Sequence, residues 1–138
     1  MEEILRFLYS NAIFLFRDYN FKFIDSEWSP SFGGSAYVIL TNGFVKIRFV
    51  KSRDGLLMEF QPSGKIKAEW FQFTIVGIFL TNDFHFSGDV NKNNAVFLKG
   101  QLPKIMEMFS ENNIKQTIQE LNLIKREMSK RLFPPRRR

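Results

Sequence analysis

The chain has a single histidine, His85, which sits between Phe84 and Phe86 with Asp83 two residues before it and Asp89 four after. That is the nearest the sequence comes to a grouping with chemistry. An imidazole beside a carboxylate can serve as a base toward a nucleophile or as one ligand of a metal. Nucleophilic catalysis, however, needs a nucleophile within hydrogen-bond reach of the base, and a zinc site needs three or four ligands at set spacings. Asp-x-His supplies neither, and the absence of cysteine removes thiolate nucleophiles, thiolate ligands and disulfides together. His85 therefore reads as a structural or surface residue. A phosphate cradle fails for similar reasons. Gly64-Lys65 is followed by Ile66 where a hydroxyl residue would hold magnesium, and Glu59 stands where the loop would need its first glycine. Gly33-Gly34 reads as an ordinary turn. Asp54, Glu59 and Glu69 read as solvated acids, since a catalytic carboxylate pair is made in space and not in sequence. No catalytic, cofactor-binding or metal-binding residue is assigned, and the expectation is a protein that is not an enzyme.

Charge is distributed very unevenly. The chain has 20 basic and 14 acidic residues, a net +6. Lys125 to Arg138 hold seven basic residues and one acid, which is the whole of that excess. The preceding body is neutral, so a basic isoelectric point does not here mean a basic folded surface. Lys130, Arg131, Arg136, Arg137 and Arg138 form a basic end that would attract phosphates, with the salt dependence of counterion release. Lys46, Arg48, Lys51 and Arg53 could add a basic row on a strand, with aromatics beside it to stack on bases. No aromatic signature of an RNA-binding sheet and no zinc motif accompanies them.

These residues need elements to position them. The 138 residues suit one domain, 1–133, with a basic tail at 134–138. Leu5, Leu8, Ala12 and Leu15 recur at helical spacing and predict a helix over 2–18. Phe21 to Ile24 reads as a short strand, followed by a loop through Trp28 and Ser29-Pro30-Ser31-Phe32-Gly33-Gly34. Ala36–Leu40, Phe44–Val50 and Leu56–Phe60 read as strands joined by type I′ turns at Asn42-Gly43 and Asp54-Gly55. In the middle strand Val45, Ile47 and Phe49 should face a core, and Lys46, Arg48 and Lys51 the opposite side. Residues 66–81 fit both periods: Trp70, Phe73 and Leu80 a helix, Phe71, Phe73, Ile75 and Phe79 a strand. The length and the polar Ser63-Gly64-Lys65 lead-in favour the helix. Phe84-His85-Phe86 and Ala95–Leu98 read as short strands, and Pro103 as the start of a helix to Phe109. Ser110 is placed as the N-cap of a last helix, 111–132, which Pro134-Pro135 stops.

The chain has 17 phenylalanines as well as Trp28 and Trp70. Most should be core, and any surplus would leave an apolar patch for a partner. Trp28, Tyr37, Lys46 and Arg48 are the candidate protein-binding residues, because Trp, Tyr and Arg dominate binding hot spots. Trp70 is assigned to the core.

One further feature is a resemblance. The strands Ser35-Ala36-Tyr37-Val38-Ile39-Leu40 and Val45-Lys46-Ile47-Arg48-Phe49-Val50, the turn Lys51-Ser52-Arg53-Asp54-Gly55 and the later Glu69-Trp70 together resemble small single-domain bacterial proteins. Some of those are immunity proteins that neutralise toxins. The resemblance covers residues 35–80 and implies a protein-binding role by direct contact with a toxin. The sequence thus predicts an α+β fold, an antiparallel β-meander with an N-terminal helix and C-terminal helices packed on one face. It predicts a cytoplasmic protein-binding module with no cofactor and no membrane contact, whose partner is another protein or a second copy of the chain. The alternative is association with nucleic acid through the basic C-terminal end.

Overall fold

The computed structural model describes residues 1–29, 34–64 and 68–133. The loop expected at 30–33, Lys65 of the lead-in to the next segment, and the Pro134–Arg138 tail lie outside those residues. The fold is α+β. Five antiparallel strands, β1 (Lys22–Trp28), β2 (Ala36–Thr41), β3 (Val45–Ser52), β4 (Gly55–Pro62) and β5 (Phe71–Gln72), run in sequence order across one sheet. Helices α1 (Glu2–Asn11), α2 (Phe14–Asp18), α3 (Phe73–Thr81), α4 (Lys92–Met108) and α5 (Ile114–Leu132) are the other elements among the described residues.

Alternation along the central strands decides which side is core. Val38, Leu40, Val45, Ile47, Phe49, Met58 and Phe60 are buried, and the residues between them are not. Helices α1 and α3 pack on that inward side, where Ile4, Leu8, Phe73, Val76, Leu98, Leu102 and Ile105 close the core. Each such side chain contributes about 1.5–3 kcal/mol on leaving water.

Several expectations need correcting. The predicted helix over 2–18 is two helices. A straight helix buries one stripe, whereas Ile13-Phe14-Leu15-Phe16 is apolar all round. The break at Ala12–Ile13 lets Phe14 and Leu15 turn inward. The first strand runs on to Trp28, so Trp28 lies on a strand and not in a loop. The two hairpin turns are not type I′, which requires positive φ at both central residues. Positive φ falls on Gly43 and Gly55, while Asn42 and Asp54 are not in that region. At the first turn the Asn42 side chain accepts the Phe44 and Val45 N–H groups at 3.0 and 3.2 Å, closing a side-chain turn instead.

Of the segment 66–81, residues 66 and 67 lie outside the described residues, and the rest divides between the two readings: Phe71–Gln72 is strand and Phe73–Thr81 helix. Residues 84–86 form no strand, and Ala95–Leu98 lie inside α4, whose N-terminus is capped by Asn91 accepting the Asn94 N–H at 2.8 Å. Ala95, Leu98, Leu102 and Ile105 are its buried stripe. Pro103 is interior to that helix and does not begin one. Lacking an N–H, it cannot bond the Lys99 carbonyl one turn back. The Tyr19 hydroxyl donates to that carbonyl at 3.3 Å, so the vacancy is met from another element. Ser110 does not cap the last helix. Its hydroxyl donates to the Glu107 carbonyl at 2.7 Å, and α5 begins at Ile114.

Candidate functional site

The sheet has one side under helices and one side open. Cross-strand registers place three rows on the open side. The first is Glu27, Tyr37, Val50 and Leu57. The second is Asp25, Ile39, Arg48, Glu59 and Gln72. The third is Lys22, Thr41, Lys46 and Gln61. All of these are half-buried or exposed. Leu57 is 46% exposed, a large apolar side chain at the β4 end of the first row.

Arg48 organises the centre. Its Nε and Nη2 lie 2.9 and 2.8 Å from Glu59 Oε1, the residue directly opposite it on β4. The Trp70 ring lies over its guanidinium, 4.4 Å from centroid to Cζ. A planar cation held by a carboxylate in its plane and an indole on its face is a fixed platform. At the β1 side the Tyr37 hydroxyl donates to Asp25 Oδ2 at 3.2 Å. Partial burial, and then the Asp25 carboxylate accepting its proton, hold the Tyr37 phenol above its ordinary value of 10.0.

Of the four protein-binding candidates, Tyr37, Lys46 and Arg48 meet on this open side. Trp28 does not join them. It pairs with Ala36, whose side chain is buried on the helix side, so it lies on the other side of the sheet at the edge strand, 59% exposed. Lys51 was expected beside Arg48 but follows Phe49 by two residues and so shares its side. There it meets Glu3 of α1 at 3.2 Å, so the basic row Lys46, Arg48, Lys51, Arg53 is not formed. Trp70, assigned to the core, is half-buried and belongs to the open side. The alternation at 70–73 carried that signal: with Phe71 and Phe73 inward, Trp70 and Gln72 must point outward.

At the C-terminal end of α5, Lys130 and Arg131 are exposed. The Arg131 guanidinium covers the Phe84 ring at 4.2 Å and its Nε is 3.4 Å from Glu127. Arg136, Arg137 and Arg138 lie outside the described residues. His85 is exposed, and its backbone N–H donates to the Asp83 carboxylate at 2.8 Å, a turn contact made by the main chain and not by the imidazole. Among the described residues no three acidic or histidine side chains gather as metal ligands. A cavity of about 360 Å³ opens between α3, α4 and α5, lined by Phe79, Leu80, Met108, Glu107, Thr117 and Glu120. No helix among the described residues is long and apolar enough to cross a membrane.

No family model, curated protein or solved structure matches this chain.

Proposed function

We propose that this is a non-enzymatic protein-binding module that uses the open side of its sheet, and that it acts as an immunity-type protein neutralising a bacterial toxin by direct contact. The observation that carries the reading is the Trp70–Arg48–Glu59 stack, set beside Tyr37, Lys46 and Leu57 on a side that no described helix covers. Aromatic and arginine side chains already held in one conformation lose little entropy when a partner docks. Binding by occlusion requires no catalytic group from this chain. The resemblance over residues 35–80 supports the same role, since four of the five strands that build this side lie wholly within it.

The test is to recover the tagged full-length chain from its native cells, with and without nuclease, and weigh its complexes by native mass spectrometry. A stoichiometric protein partner that survives nuclease, and is lost on Leu57→Glu together with Lys46→Glu, is the expected result. A partner retained by that double variant would place the interface elsewhere. Nucleic acid that disappears with nuclease and with deletion of Arg136 to Arg138, leaving no protein behind, would replace this reading with the nucleic-acid alternative.

A further inference from the structure

Strand β1 is the edge of the sheet, and all seven of its residues are exposed. Among the described residues its only strand neighbour is β2, so its second edge presents backbone donors and acceptors that template another strand. Three large apolar side chains accompany them: Phe23, Ile24 and Trp28, each half or more exposed. Among the described helices α2 touches this strand through Phe16, whose ring packs on Phe23 at 5.2 Å between centroids, and every residue of the strand stays exposed, which leaves its outer edge open for a second sheet to continue the first.

Which strand fits is decided by faces and charges. The register slips between Phe23 and Asp25, so Ile24 is an extra residue. As a result Lys22, Asp25 and Glu27 lie on the open side, opposite Thr41, Ile39 and Tyr37. Phe23, Ser26 and Trp28 lie on the helix side, opposite Leu40, Val38 and Ala36. When two copies of one strand pair about a two-fold axis, opposed residues must share a face. One alignment meets this along the strand and also opposes unlike charges. It sets Lys22 against Glu27 of the second copy, Phe23 against Ser26, and Ile24 against Asp25, each pair occurring twice. Trp28 then stands diagonal to Phe23 of the second copy on the helix side, at the ~7–8 Å spacing that aromatic side chains span. The slip is what makes this possible, because it changes the facing of both strands at the same place. Centring the axis on Ser26 instead would set Asp25 against Glu27 twice. A one-residue shift from either alignment would oppose open-side to helix-side residues.

We propose that the chain forms a symmetric dimer through β1, joining two five-stranded sheets into one antiparallel sheet of ten. The two open sides become one continuous surface, with the Arg48 platforms repeated on either side of the axis. The dimer does not depend on the partner reading above, and its test needs no partner.

Sedimentation equilibrium of the full-length chain should give a species of twice the 16.3 kDa chain mass. Lys22→Glu and Glu27→Lys should each weaken the dimer by about tenfold or more, since each converts two attractive cross-strand pairs to repulsive ones. Combining them should restore it. Both changes are at exposed positions, and circular dichroism should show the fold unaltered in all three variants. Because the chain has no cysteine, Phe23→Cys with Ser26→Cys should give a cross-linked dimer on mild oxidation, and Ser26→Cys alone should not. A monomer at every concentration overturns the proposal, as does a dimer that neither single charge change weakens or that the double exchange fails to restore. Ready cross-linking of the single cysteine variant would put the axis at Ser26 and overturn the alignment.

Discussion

Replacing Gly77 by alanine sets two effects of known size against each other. Gly77 is buried in the middle of α3, where alanine would favour the helix by about 1 kcal/mol. A β-carbon there would stand 1.9, 2.2 and 2.5 Å from the Cε1, Cδ1 and Cζ atoms of Phe86, so the ring must move well over 1 Å to reach ordinary contact. Phe86 is not free to do so. It packs against Phe73 at 5.6 Å and Phe97 at 5.1 Å between centroids, and the Thr74 hydroxyl holds the Gly88 N–H two residues on at 3.0 Å. Overpacking costs about 1–3 kcal/mol, and each displaced aromatic pair about 0.5–1.5 kcal/mol more. Steric cost wins: Gly77→Ala should destabilise the chain by about 1–3 kcal/mol in urea titration and lower the melting temperature by several degrees. The decisive measurement is the cycle with Phe86→Ala. In that background the same alanine should cost nothing or stabilise by up to about 1 kcal/mol. If Gly77→Ala is neutral or stabilising with Phe86 present, the argument that Phe86 is held in place by Phe73, Phe97 and the Gly88–Thr74 hydrogen bond fails.

Two further outcomes follow from the open side of the sheet. Arg48→Ala strands the largely buried Glu59 carboxylate and should cost about 1–3 kcal/mol in chemical denaturation, whereas replacing both members by leucine should recover most of it. Recovery that fails would mean the pair stabilises by more than mutual neutralisation. Tyr37 should ionise above its ordinary value of 10.0, so its contribution to stability is present below that pH and is lost as pH rises through the higher folded value. Absorbance titration of Asp25→Asn should show the Tyr37 midpoint moved back toward 10.0, though not wholly, because partial burial remains. An unmoved midpoint would remove Asp25 from the account.

What the sequence determined by itself was local. Period-two alternation placed β2, β3 and β4 within one or two residues, because each has one buried face and a one-residue error would invert it. Asn-Gly and Asp-Gly located both hairpins, though the positive φ rests on the glycines alone. Helical spacing found most of the stripe of α5, where Ile114 and Leu121 are buried and Ile118, Ile124 and Met128 pack against the core. Tyr37, Lys46 and Arg48 could be named together because they sit on strands whose alternation was clear.

Tertiary structure decided the rest. Trp28 reads as a loop residue because nothing in Lys22–Trp28 alternates into a core; only pairing with β2 makes that stretch a strand, and only the slip at Ile24 fixes which side Trp28 takes. Trp70 looked like core because large aromatics usually are; alternation with Phe71 turns it outward, but its place over Arg48 follows only from β5 pairing with β4. Lys51 takes the side of Phe49 by the alternation of its own strand, and only the placing of α1 gives it Glu3 as a partner there. Alternation within a strand is a property of the chain. Which charged residue meets which partner depends on how separate elements are brought together, and the sequence carries that only through the packing it produces.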